Sequence, residues 1–150
     1  MMSKIVRILL LSFGLLVISN AQAESLLRAV FASDIESVKS LLKEGADINK
    51  LERYIGGSAL HVAARSGQHE MAQLLIDSGA RVDLRDRSDY TPLHNAAWVG
   101  NLDMVKLLLN AGADISATTY SGRTPLSCAQ ESYQVEVIEY IEGKLQLAIN

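Results

Sequence analysis

The sequence predicts an all-α repeat architecture: about four helix-turn-helix units stacked into a solenoid, with extended, turn-forming loops between them. Three observations lead there. First, residues recur at a spacing of 33: Leu60, Leu93 and Leu126; His61 and His94; Ala63-Ala64 and Ala96-Ala97; Gly67 and Gly100; Gly79-Ala80 and Gly112-Ala113. Second, helix-start residues open the periods (Thr91-Pro92, Thr124-Pro125), an apolar pattern at helical spacing follows, and glycine closes each helix. Third, 49% of the 150 residues are hydrophobic, enough for a continuous core, yet each block is too short to bury its own apolar face. The same composition excludes other classes. One cysteine permits neither a disulfide framework nor a cysteine-built zinc site. A net charge of −3 disfavours a nucleic-acid binder.

Residues 1–23 read as an address. Lys4 and Arg7 are a positive start, Ile8 to Ile18 an apolar run, and Ala21-Gln22-Ala23 a small-x-small cleavage site. The eleven-residue run is too short to cross about 30 Å of hydrocarbon. A signal peptide cleaved after Ala23 is expected, with a retained anchor as the alternative. No acidic residue precedes Glu24, which argues against a buried N-terminal helix. Cleavage leaves residues 24–150, a chain of 127 with 12 basic and 17 acidic side chains and a charge of −5. That chain is expected in the periplasm or secreted, without stable membrane insertion, and Cys128 has no partner for an internal disulfide.

Residues 24–56 form the N-terminal capping repeat. It begins Glu24-Ser25-Leu26-Leu27, with Ser33-Asp34 at the inter-helix turn where glycine stands in later repeats. Its second helix, Val38 to Lys43, leads into Gly45-Ala46-Asp47-Ile48-Asn49. Residues 57–89 and 90–122 are full repeats. Thr91 and Thr124 sit just before first helices and can cap them, and the Ala63-Ala64 and Ala96-Ala97 faces let a neighbour approach closely. Pro92 and Pro125 suit the first helical turn, where a missing N–H costs nothing. The second helices carry Met71, Leu74 and Leu75, then Met104, Val105, Leu107 and Leu108. Residues 123–150 cap the C-terminus: Ser127 takes the histidine place, Tyr133 the glycine place, and Glu136, Glu139 and Glu142 charge the last helix.

The blocks Ser58-Ala-Leu-His-Val-Ala-Ala-Arg-Ser-Gly67 and Thr91-Pro-Leu-His-Asn-Ala-Ala-Trp-Val-Gly100, and the closing Gly-Ala-Asp-ϕ-Asn, resemble the ankyrin repeat over essentially all of residues 24–150. The resemblance implies an ankyrin solenoid with β-hairpin loops as fingers, and a non-catalytic protein-binding module that holds one partner with finger tips and a concave groove. Within the family the chain resembles a small exported bacterial member. The resemblance also implies that His61 and His94 tie one hairpin to the next. Uses as an inhibitor or immunity-like protein, or as an accessory factor in peroxide defence, occur within the family and both stay open. The first finger, Lys50 to Gly57, holds one extra residue: Gly45 to Leu60 spans 15, against 14 for Gly79 to Leu93. Neutral drift and a role in binding both account for it.

Chemistry is sparse. No nucleophile elbow, zinc-protease or phosphate-binding motif occurs, so no catalytic residue, metal or cofactor is expected. Cys128 reads as an inert, partly buried thiol. Arg81, Arg85 and Arg87 alternate with Asp83, Asp86 and Asp89, a salt-bridged loop rather than a phosphate track. The candidate partner-binding residues are Arg65 and Trp98 on the first helices and, at the finger tips, Tyr54, Arg87 and Tyr120 six residues before Leu60, Leu93 and Leu126, with Tyr90 and Arg123 three residues before Leu93 and Leu126. Tryptophan, tyrosine and arginine are the usual interface anchors. Trp98 packing on a neighbouring finger is the competing reading. The module is expected to act as a monomer.

Overall fold

The computed structural model describes residues 26–52 and 56–147. Eight helices follow one another: α1 (26–31), α2 (Ile35–Lys43), α3 (Ala59–Arg65), α4 (His69–Asp77), α5 (Pro92–Val99), α6 (Leu102–Asn110), α7 (Pro125–Glu131) and α8 (Val135–Leu147). Odd-numbered helices form an inner layer and even-numbered ones an outer layer. α3 packs on α5 and α5 on α7, while α4 packs on α6 and α6 on α8. The predicted signal segment, 1–23, lies outside the described residues, as does Tyr54.

One core runs through the stack. Ala63, Ala64, Ala96, Ala97 and Ala129 are wholly buried on the inner helices, and their small side chains let the layers close. Val38, Leu75, Met104, Leu108, Val137 and Ile141 fill the space from the outer side. The first three outer helices end alike: the amides of Ala46, Ala80 and Ala113 reach back to the carbonyls of Leu41, Leu75 and Leu108 at 2.9–3.0 Å.

The inner helices start on a shared device. Ser58 and Thr91 are extended residues ahead of α3 and α5. His61 Nδ1 accepts from the Ser58 amide (3.2 Å) and hydroxyl (2.9 Å), and His94 Nδ1 accepts from Thr91 at the same distances. At α7 the Ser127 hydroxyl accepts from the Thr124 amide at 2.8 Å.

The turn between inner and outer helices is left-handed in every repeat: Ser33 at φ 56°, Gly67 at 68°, Gly100 at 77° and Tyr133 at 59°. Glycine stands where the next repeat crowds the turn. A Cβ at Gly67 would meet Asn101 Nδ2 at 2.9 Å, and one at Gly100 would overlap the Gln134 carboxamide. Tyr133 closes the fourth repeat, projects 86% exposed, and carries its side chain at the cost of a strained φ.

The fingers differ from the β-hairpins expected. Among the described residues there is no named strand, only an isolated bridge between Glu52 and Gly57. Each finger is closed by one stem bond: Glu52 N–H to Gly57 O at 3.1 Å, Asp86 N–H to Tyr90 O at 2.9 Å, and Thr119 N–H to Arg123 O at 2.9 Å. The chain then enters the next helix cap, which leaves no length for a ladder. The first stem spans one residue more than the other two, so the inserted residue sits inside that loop.

Candidate interaction surface

The fingers are bolted together before they present anything. Asn49 Oδ1 accepts from the Arg81 amide (2.8 Å), and Asp83 Oδ1 accepts from the Asp114 amide (2.9 Å). The Arg85 guanidinium donates to the Thr118 carbonyl at 2.6 Å. His61 Nε2 donates to the Tyr90 carbonyl (3.0 Å), and His94 Nε2 to the Arg123 carbonyl (3.1 Å). Since a carbonyl can only accept, both rings carry the proton on Nε2 and leave Nδ1 to receive the cap. Burial pushes both imidazoles below their usual value, so they stay neutral. These contacts agree with the tying role that the family resemblance implied.

On this frame Tyr90 and Arg123 form a cross-brace. Arg123 Nη1 donates to the Tyr90 hydroxyl at 2.8 Å, and its Nε donates to Glu131 at 3.0 Å. The Tyr90 bond, followed by the charge of Glu131, raises the Arg123 guanidinium further above its ordinary value. The Tyr90 ring also meets His94 edge-on at 5.5 Å. Tyr90 and Arg123 are therefore stem residues, which corrects their expected place at the finger tips. Their carbonyls close the stem bonds, and among the described residues the tip candidates that remain are Arg87 and Tyr120.

Two adjoining clefts result. The inner one, about 310 Å³, is lined by Asp86, Ser88, Tyr90, Asn95, Trp98 and Arg123. The outer one, about 370 Å³, is lined by Arg87, Ser88, Tyr90, Tyr120, Ser121 and Arg123. Trp98 is 46% exposed at the edge of the first, and Tyr120 is 81% exposed at the edge of the second. Five predicted residues, Arg87, Tyr90, Trp98, Tyr120 and Arg123, thus come together. Arg65 is exposed on α3 and lines neither cleft. Sequence reasoning missed Asp86, Ser88, Asn95 and Ser121. Asn95 lies three residues before Trp98, the spacing that places both on one helix face. A further depression of about 420 Å³ between α1 and α2 includes Arg28, Asp34, Ser37 and Glu44 and none of the predicted residues.

Among the described residues, no three His, Cys, Asp or Glu side chains are grouped to hold a metal ion. None of their helices is long and apolar enough to cross a membrane. Cys128 is wholly buried rather than partly so, because α7 turns it into the core, and burial pushes its thiol from 9.0 up to about 11.

A family model described as ankyrin repeats in three copies matches residues 26–119, and one described as ankyrin repeats in many copies matches 100–141. Similar curated proteins include Potassium channel AKT1 of Oryza sativa subsp. indica (39% identical over 43% of this chain), 2-5A-dependent ribonuclease of Mus musculus (37% over 45%) and Inversin of Danio rerio (39% over 41%). The matches cover only 7%, 9% and 6% of those three proteins. The similarity is confined to their repeats.

Proposed function

Because the chain belongs to the ankyrin repeat family, whose repeats generally mediate protein-protein interaction, we propose that it is a non-catalytic module holding one partner protein across its fingers and inner helices. The observation that carries this reading is the pair of adjoining clefts edged by exposed Trp98 and Tyr120 and braced by Tyr90 and Arg123. Large aromatic side chains on a rigid frame supply contact area at low entropic cost. The bolted fingers supply the rigidity, so little ordering is left to oppose binding.

Export belongs to the same proposal. Residues 1–23 carry the three parts of a signal peptide in order, and the partner is then a protein of the periplasm or exterior. Two uses fit: blocking a toxin or enzyme, in the manner of an inhibitor or immunity protein, or assisting an enzyme of peroxide defence. Both work through a bound protein, and the chain itself acts as a monomer.

Two measurements test the proposal. Mass spectrometry of the protein recovered from cells should find Glu24 as the first residue; a chain retaining Met1 in the cytosol would overturn the export reading. Affinity capture from the envelope fraction should retain a partner on the wild type and lose it on Trp98→Ala, at unchanged melting temperature. Equal capture by Trp98→Ala, Arg87→Ala and Tyr120→Ala would show that the surface lies elsewhere.

A further inference from the structure

The two kinds of basic residue are sorted by layer. Among the described residues every arginine (Arg28, Arg65, Arg81, Arg85, Arg87 and Arg123) lies on an inner helix or a finger. Four of the five lysines lie on outer helices: Lys39, Lys43, Lys106 and Lys144. Chance placement of a solubilising charge does not separate the two. Arginine is the residue that grips carboxylates in a planar fork, whereas lysine is a hydrated point charge.

The outer cleft has a one-sided chemistry. Its lining comprises two arginines, two tyrosines and two serines, with no carboxylate. The acidic groups nearby are already committed. Asp86 Oδ1 accepts from the amides of Ser88 (2.8 Å) and Tyr90 (2.9 Å). Asp89 faces Arg85 at 3.8 Å, and Glu131 holds Arg123 at 3.0 Å. Arg87 makes no hydrogen bond or ion pair among the described residues, and Arg123 has donors left after Tyr90 and Glu131 are served. The lining itself therefore offers hydrogen-bond donors and two guanidinium groups without a carboxylate among them, on a chain whose total charge is negative.

Resting on the binding role proposed above, we propose that the partner docks through an acidic segment. One of its Asp or Glu carboxylates enters the cleft between Arg87 and Arg123, and an adjacent apolar side chain lies against Trp98. The serine and tyrosine hydroxyls complete the carboxylate's hydrogen bonds. Charge-assisted bonds of this kind fix the register of a docking segment, and the apolar contact supplies burial.

The test is a selection of phage-displayed random dodecapeptides on the immobilised full chain, with binding of the selected peptides then measured in solution. The expected peptides are enriched in Asp or Glu next to an apolar residue and bind more weakly as salt rises. Arg87→Glu should weaken them by about tenfold or more, whereas Lys106→Glu on the outer face leaves them unchanged. Melting curves confirm that both variants fold. Peptides without acidic enrichment that are nevertheless lost on Trp98→Ala would overturn the acidic-segment proposal and leave the binding surface standing. Peptides indifferent to both Arg87→Glu and Trp98→Ala, or no selected peptide at all, would overturn the surface as well.

Discussion

His94 joins two parts of the molecule with one ring: Nδ1 caps α5 through Thr91 and Nε2 reaches the Arg123 carbonyl of the next finger. Ser127 occupies the same place one repeat later, where no described finger follows, and its hydroxyl serves the cap alone. His94→Ala should therefore cost roughly 2–4 kcal/mol in urea unfolding, from the buried Thr91 amide left without its side-chain acceptor and a cavity, and Ser127→Ala only about 1 kcal/mol. Equal losses would refute this division of labour. Protonation would convert Nδ1 into a donor facing the cap's donors. Both buried histidines lie below their usual value of 6.5, so above about pH 6.5 neither folded nor unfolded chain carries the proton. As pH falls through 6.5 the unfolded chain binds protons first, and stability declines. The decline between pH 7 and 5.5 should be shallower in the His61→Gln/His94→Gln double variant; an identical slope would contradict the assignment. Cys128, raised to about 11 and wholly buried, should resist alkylation at pH 7 until the chain unfolds, and rapid labelling of the native protein would refute its burial.

At the scale of elements, the stack explains which turns need glycine. Gly100 and Gly122 share φ 77°, but a Cβ at Gly100 would overlap Gln134 while one at Gly122 meets nothing within 4 Å. Gly122→Ala should cost about 1 kcal/mol for the left-handed backbone alone, and Gly100→Ala measurably more, as read by thermal melting. Much of this layer was legible beforehand. The 33-residue spacing, the Thr-Pro starts and the apolar pairs place the predicted repeat helices in order. Strands were expected in the fingers from the family resemblance, and none is formed among the described residues because each stem is a single hydrogen-bonded pair, which spacing along the chain does not reveal. The same counting put Tyr90 and Arg123 at the tips, whereas their backbones close the stems. Counting from a helix locates a loop residue along the chain, but the turn's hydrogen bonds decide where it points. Asn95 was legible from its three-residue offset to Trp98; Ser88 and Ser121 carried no signal beyond lying beside Arg87 and Tyr120.

Over the whole molecule, the layers divide the work. The outer helices bury core residues beneath a surface of lysines and carboxylates, and the inner helices and fingers gather the arginines and the exposed Trp98 and Tyr120. A stack whose fingers are tied by histidine, asparagine, aspartate and arginine bonds presents its clefts with little rearrangement, which is the property a binding module needs. Amide hydrogen exchange of the full chain, free and bound to its captured partner, tests this most directly. The account predicts added protection in residues 86–99 and 119–123, with the outer helices α2 and α6 unchanged. Protection confined to those outer helices, with the two fingers exchanging as in the free chain, would contradict it.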